Sequence, residues 1–398
     1  MKKTTIRMIP VGLLGLAAAG AAHAQSTVTL FGVIDQGISY TSNAGGHNQW
    51  SMAGGVLQGS RWGLRGSEDL GGGLKAIFLL ESGFDASSGK FTQGGLLFGR
   101  RAFVGLADAH VGTVTLGRQY DDVVDYVGVF ADRAFGGGYV AAHPGDIDNF
   151  NNGYRTNNSI KYESANYSGL HFGGMYSLGG VAGEFTRNQT YSLGAGYEHG
   201  PFSLAAAYMN VRNPNISFFG NSSTSAPSTG AANIASPVYS GFASARTYQV
   251  IAAGGAYRIG AATLGATWSN IQFTHLGDTA ESGVNPSGYR GSAHFNNAEV
   301  NVQYQFTPAF SMTAAYDYMK GSSVSSATGQ NGGATYHQGA LSADYLLSKR
   351  TDVYIMGVYQ HASGTDSRNQ PAVAAINGLT ASTSSSQATV HVGLRHRF

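Results

Sequence analysis

The chain has 398 residues, with 58 glycines, 9 prolines and no cysteine; 12% are charged and 42% hydrophobic. The glycine share is about twice, and the charged share about half, that of ordinary soluble domains. So little charge does not cover a large soluble surface. Past the N-terminus no run of about 20 apolar residues exists, which excludes a bundle of transmembrane helices. The absence of cysteine excludes a disulfide scaffold, a thiol enzyme and Cys-ligated zinc.

Residues 1–24 read as an export signal. Met1, Lys2, Lys3 and Arg7 form a basic start, Ile9 to Ala22 an apolar stretch, and Ala22-His23-Ala24 a small-x-small cleavage site. Gln25 is then expected to begin the mature chain, a single domain over 25–398. Losing Lys2, Lys3 and Arg7 leaves 21 basic against 22 acidic residues. The net charge gives no reason to expect a nucleic-acid partner.

The mature region repeats one pattern. In Ala298, Val300, Val302, Tyr304 and Phe306 every second residue is apolar or aromatic, while Glu299, Asn301, Gln303 and Gln305 lie between them. Such a period of two marks a strand with one apolar and one wet face. Sixteen such segments are expected near 27–40, 57–69, 73–86, 96–108, 111–120, 155–165, 168–180, 188–200, 201–213, 245–258, 261–275, 291–307, 308–322, 333–348, 351–363 and 386–398. Short turns such as His199-Gly200-Pro201 and Thr307-Pro308 alternate with long Gly/Ser/Asn-rich connections such as 213–245 and 363–386. Long loops at one end and tight turns at the other are the habit of an outer-membrane barrel. Tyr197, Phe202, Tyr257, Phe306, Phe310, Tyr345 and Phe398 all lie beside short turns with apolar-face parity, as an interfacial aromatic girdle requires. The expected fold is an all-β, 16-stranded antiparallel transmembrane barrel. Backbone groups in hydrocarbon must be paired, so it must close, and sixteen strands leave an aqueous interior.

The chain also resembles the general trimeric porins of Gram-negative outer membranes. The matching residues are the start Val28-Thr29-Leu30-Phe31-Gly32-Val33-Ile34-Asp35, the stretches Ser60 to Ala76 and Leu80 to Phe84, then Arg101 to Leu106, Gly112 to Gln119, Asn158 to Tyr162, Tyr345 to Thr351, and the end Val392 to Phe398. The resemblance implies a homotrimer of barrels in outer-membrane lipid. It also implies a third external loop folded into each channel, with basic wall residues facing acidic loop residues. Wet-face parity assigns Arg61, Arg65, Lys75, Arg155 and Lys161 to the wall. Arg100 joins them by resemblance, and its neighbour Arg101 must then point the opposite way and needs a partner. On the loop, about 120–154, the acidic candidates are Asp121, Asp122, Asp125 and Asp132, with Asp146 and Asp148 further on. The alternatives are that the cations only brace the barrel and that the aspartates cap turns. Phe398 is expected, by resemblance, to be the signal that the assembly machinery reads. Outward Gly32, Ile34 and Gly66 suit subunit packing.

No His-x3-His or His-Glu-x-x-His spacing occurs, and no cofactor is expected; Asp146 and Asp148 offer two hard donors for calcium. No local signature marks a catalytic triad. The expected function is passive diffusion of small hydrophilic solutes and ions with a weak anion preference. The competing readings are a substrate-specific channel, and an adhesive or structural barrel whose long loops bind partners. Trp62 and Trp268 have lipid-face parity and Trp50 falls in the expected first loop, so no aromatic slide for sugars is evident.

Overall fold

The computed structural model describes residues 27–220 and 232–398; the export signal lies outside the described residues. The strands are β1 (Thr27–Ala44), β2 (His47–Gly54), β3 (Arg61–Gly71), β4 (Leu74–Gly83), β5 (Arg101–Asp108), β6 (Gly112–Gln119), β7 (Thr156–Ser164), β8 (Leu170–Ser177), β9 (Thr190–His199), β10 (Phe202–Arg212), β11 (Thr247–Ile259), β12 (Ala262–Leu276), β13 (Gly291–Thr307), β14 (Phe310–Gly321), β15 (Val324–Ser326), β16 (Gly329–Asn331), β17 (Ala334–Leu346), β18 (Thr351–Gly364) and β19 (Ser386–Arg397). All except the small β15–β16 hairpin join one antiparallel sheet, which closes where β1 pairs with β19. β2 and β3 are halves of one stave, since both pair with β1. The barrel therefore has sixteen staves.

Burial follows the alternation in the sequence, turned inside out. On β1, Val28, Leu30, Ile34 and Ile38 are exposed while Asp35, Ser39 and Thr41 are buried. In water so much exposed apolar surface would drive aggregation; in lipid it is the solvated face. Beside the short turns, the Phe202 and Tyr257 rings pack with their centres 4.6 Å apart and those of Phe306 and Phe310 with theirs 5.4 Å apart.

The structure departs from the sequence reading in four places. The second stave begins at His47 and breaks at 55–60, so 57–60 is not strand. The break is held by Asp35: its carboxylate accepts from the Gln58 N–H at 2.7 Å, and its carbonyl accepts from Gly55 at 2.8 Å. Gly55 takes φ +71°, which a glycine reaches without strain. Second, the first external connection is a two-glycine hairpin at Gly45-Gly46, both with positive φ, rather than a long loop. Trp50 is consequently in a strand, exposed and 5.0 Å from Tyr40. Third, β5 starts at Arg101, not near 96, so Arg100 is not bound by strand alternation. Fourth, the long connection 213–245, read from its small polar residues, supplies buried Phe218, Phe219, Tyr239 and Phe242, which pack with Tyr248 and Phe273 at the loop end of the barrel.

The closing seam ends at the last residue. Gly32 N–H donates to the Phe398 carbonyl at 3.0 Å, and Phe398 N–H donates back to Gly32 at 3.0 Å. The Phe398 ring lies over Gly32, where a Cβ would come within 2.3 Å of Cζ. Outward Gly66 is covered in the same way by Phe78. These glycines thus accommodate rings of adjoining staves of their own chain. Gly32→Val and Phe398→Ser should each reduce the yield of folded barrel while leaving the conductance of inserted channels unchanged. Because they remove one contact, the double variant should lose less than the sum of the single losses. Fully additive yields would show that the ring and the glycine act separately.

Candidate functional site: an arginine-lined cavity

One carboxylate organises the basic wall. Glu81 on β4 is 1% exposed and contacts three guanidinium groups: Arg101 at 2.7 Å, Arg61 at 3.3 Å and Arg100 at 3.3 Å. Three cations on one anion leave an excess of positive charge. Arg101, which the sequence left without a partner, turns to Glu81 alongside Arg100, because Arg100 precedes the strand rather than alternating within it. Tyr120 completes the arrangement. Its hydroxyl accepts from Arg100 at 3.0 Å, and the guanidinium carbons of Arg101 and Arg155 lie 4.9 and 5.7 Å from its ring centre.

These groups border a cavity of about 860 Å³. Its lining includes Arg61, Arg100, Arg133, Arg155, Arg395 and Arg397, with Asp125 and Asp344 as the carboxylates. Gly55 to Gly59, the break in the second stave, form part of the same boundary. Arg395 and Arg397 were not singled out in the sequence, although their parity on the last strand matched that of the other wall cations. Asp352 braces both, at 3.0 and 3.2 Å.

The other candidates fall elsewhere. Arg65 is exposed and lies over the Phe31 ring at 5.7 Å, and Lys75 is exposed beside the turn between β3 and β4. Neither borders the cavity. Lys161 is buried and in contact with Asp125, with Asp122 at 3.5 Å and with Glu163 at 3.4 Å, so its charge is locally neutralised. Asp121 is fully buried and accepts from the N–H groups of Val123 and Val124 and from the Asn149 side chain. Asp122 accepts from Ser192 at 2.5 Å. Asp132 is buried, with its amide donating to Glu299 at 2.7 Å. Of the four acidic candidates, Asp125 alone borders the cavity.

The 120–154 segment is tied to wet-face residues of distant staves. Asn301 donates to the Phe130 carbonyl at 2.9 Å, Gln303 to Phe135 at 2.7 Å and Gln338 to Ala142 at 2.9 Å. Ser269 donates to Asp148 at 2.7 Å, and Tyr248 to the Ile147 carbonyl at 2.6 Å. Asp146 accepts from the N–H groups of Asn151 and Gly153, both at 2.8 Å, which closes the end of the loop on itself.

Burial pushes four carboxyls of this segment upward: Asp121, Asp122, Asp132, which reaches about 8, and Asp146. Asp121 is raised to about 7 by burial, which outweighs its hydrogen-bond donors. Asp146 is raised to about 7 by burial and by the charge of Asp148. A carboxyl raised on folding stabilises the folded form while protonated, so its contribution is present at acid pH and is lost as pH rises from about 4 to about 7 or 8. Hydrogen exchange over 120–154, corrected for intrinsic rates, should therefore be faster at pH 8 than at pH 5. One pKa unit corresponds to about tenfold. Asp121→Asn, neutral throughout, should flatten the profile in part, leaving the share of Asp122, Asp132 and Asp146; an unchanged profile would assign the effect to those groups alone.

The family model described as "Gram-negative porin" matches residues 12–365. The chain is 37% identical over 240 residues to an outer membrane porin protein of Bordetella pertussis, covering 54% of this chain and 61% of that one. It is 38% identical over 188 residues to outer membrane porin protein 32 of Delftia acidovorans, covering 45% and 50%. These alignments thus span between half and about three-fifths of the relatives' lengths. Among solved structures, the anion-selective porin from Comamonas acidovorans superposes with a TM-score of 0.71 at 22% identity, over 94% of this chain and 100% of that one. The barrel is that of an outer-membrane protein, and the chain belongs to the Gram-negative porin family.

Proposed function

We propose that the chain forms a water-filled channel for passive diffusion of small hydrophilic solutes and ions, with a weak preference for anions. The observation that carries this reading is the lining of the cavity: six guanidinium groups against two carboxylates. The mature chain's net charge is close to zero, so any preference must come from this local excess. Charges beyond about 8–10 Å are screened by salt, whereas those bordering a narrow, low-dielectric passage act on each passing ion. The 120–154 segment supplies the narrowing, with Arg133 and Asp125 facing Arg61, Arg100 and Arg155. A polarised slit favours charged and dipolar solutes over apolar ones, which would have to displace ordered water. The porin from Comamonas acidovorans that shares the fold is described as anion-selective, which agrees with this reading. Family and fold point to a channel rather than an enzyme.

The test is the zero-current potential of planar bilayers under a salt gradient. The parent channel should reverse on the anion-selective side. Arg61→Ala with Arg100→Ala should move the potential towards cations and raise conductance modestly, because two bulky side chains leave the passage. If the potential of the double variant equals the parent's, these arginines do not set the field.

We further propose that the working unit is a homotrimer, with each chain enclosing its own channel. An outer membrane protein of Vibrio cholerae that shares the fold has been solved in a trimer form. Molar mass in mild detergent should equal three chains and their bound detergent; a one-chain mass would overturn the assignment.

A further inference from the structure

Opposite the arginine wall, the 120–154 segment meets β13 and β14 through a buried cluster that the proposed conduction does not use. His143 is 1% exposed, and its Nδ1 lies 2.6 Å from Asp148 Oδ2. Its Nε2 faces Glu299 Oε2 at 3.3 Å and Asp317 Oδ2 at 3.6 Å. The ligand atoms of His143, Glu299 and Asp317 lie within 4.8 Å of one another, and all three residues are buried.

We propose that these three side chains bind a divalent transition-metal ion, zinc in type, which staples the loop to the wall.

Three features favour a metal. The first is orphaned polar atoms. Asp317 Oδ1 and Asp132 Oδ1 are buried without hydrogen-bond partners, and His143 Nε2, though 3.3 Å from Glu299 Oε2, makes no well-aligned hydrogen bond. A buried orphan costs about 1–3 kcal/mol, and more if charged. Asp132 is drawn into the same place because its amide donates to Glu299 Oε1. The second is spacing. Tetrahedral zinc with bonds of about 2.0–2.1 Å to nitrogen and oxygen places its ligands about 3.3–3.4 Å apart. The 3.3 Å from Nε2 to Glu299 matches that edge, and the 3.6 Å to Asp317 lies slightly above it. The third is the surrounding support. Asp148 holds Nδ1 and so presents Nε2 as the ligand nitrogen, the arrangement in which a carboxylate orients a metal-bound histidine. Asp148 is itself fixed by Ser269, Glu299 Oε1 accepts from Asn301 at 2.7 Å, and Asp317 accepts from Asn297 at 2.7 Å.

Charge points the same way. Asp132, Asp148, Glu299 and Asp317 surround one imidazole, and among the described residues no lysine or arginine forms an ion pair with any of them. Whichever of these carboxyls are ionised must be offset within the cluster, and a dication offsets more charge there than the single proton of His143. Imidazole with carboxylates suits zinc and its neighbours. Calcium, which takes six to eight oxygens, does not fit a site headed by an imidazole nitrogen. The site is enclosed, so the ion is to be loaded as the loop closes.

The protein is refolded in detergent with or without Zn²⁺, desalted, and its zinc measured by elemental analysis. One zinc per chain is expected after refolding with Zn²⁺. Its X-ray absorption edge should show a single imidazole nitrogen among oxygens. His143→Gln and Glu299→Gln should lose the stoichiometric zinc. Asp148→Asn, which keeps the ligands but weakens the support, should lower affinity about 10–100-fold. His47→Gln, at an exposed histidine outside the cluster, should change nothing. If His143→Gln does not fold, Glu299→Gln decides. Substoichiometric zinc in the parent, a zinc bound by several imidazoles, or unchanged zinc in the ligand variant that decides would overturn the proposal and leave the cluster as a proton-bearing anchor.

Discussion

The rest of the structure depends on closure of the sheet. In hydrocarbon an unpaired backbone N–H or C=O has no water to turn to, so an open edge is not tolerated. Here the edges meet where β1 pairs with β19, and the seam runs to Phe398, whose backbone exchanges two hydrogen bonds with Gly32. Once closed, the sheet has an inside and an outside, and each side chain's role follows from its parity. Outward positions carry Val, Leu and Ile against lipid. Inward ones carry Ser, Thr, Asn and Asp, free to bond water, one another or the loop.

An interior of that size cannot be filled by strand side chains alone. Two pieces of chain break the wall's regularity and border the cavity: the 120–154 segment and the short break at 55–60. They are joined to each other, since Tyr139 N–H donates to the Val56 carbonyl at 2.9 Å. Both are held by polar anchors on the wet face. Tyr354 and Gln58 bind the Asp35 carboxylate beneath the break, and Asn301, Gln303 and Gln338 bind loop carbonyls. The loop is thereby an ordered part of the wall, with its charges in set places.

Charge is distributed unevenly over that frame. On one side a single carboxylate, Glu81, serves three arginines, so positive charge remains available to the cavity. On the other side four buried carboxyl groups gather around His143, out of contact with solvent. Most of the loop's acid is therefore used in holding the loop, not in facing the passage. The loop's acid density in the sequence overstates the negative charge that borders the cavity.

The sequence by itself determined the sixteen staves, their facing and the family, because period-two alternation, tight-turn spacing and a terminal aromatic are local signals. It also carried Arg61, Arg100 and Arg155, whose parity or motif could be read directly. What depended on contacts across the barrel was not legible. Asp121, Asp122 and Asp132 look like pore acids in a row of letters, yet they are buried by partners up to 167 residues away in the chain, such as Glu299 for Asp132. Arg395 and Arg397 reach the cavity only because the last strand closes beside the first. Phe218, Phe219, Tyr239 and Phe242 lie in a connection whose small polar residues suggest a solvated loop, and their common core exists only once the strand ends gather. The alternation is a property of neighbours in sequence, and the chain displays it openly. Which charges pair, and which stay free, is settled by closure and by the loop's seat against the far wall, so only the tertiary structure decided it.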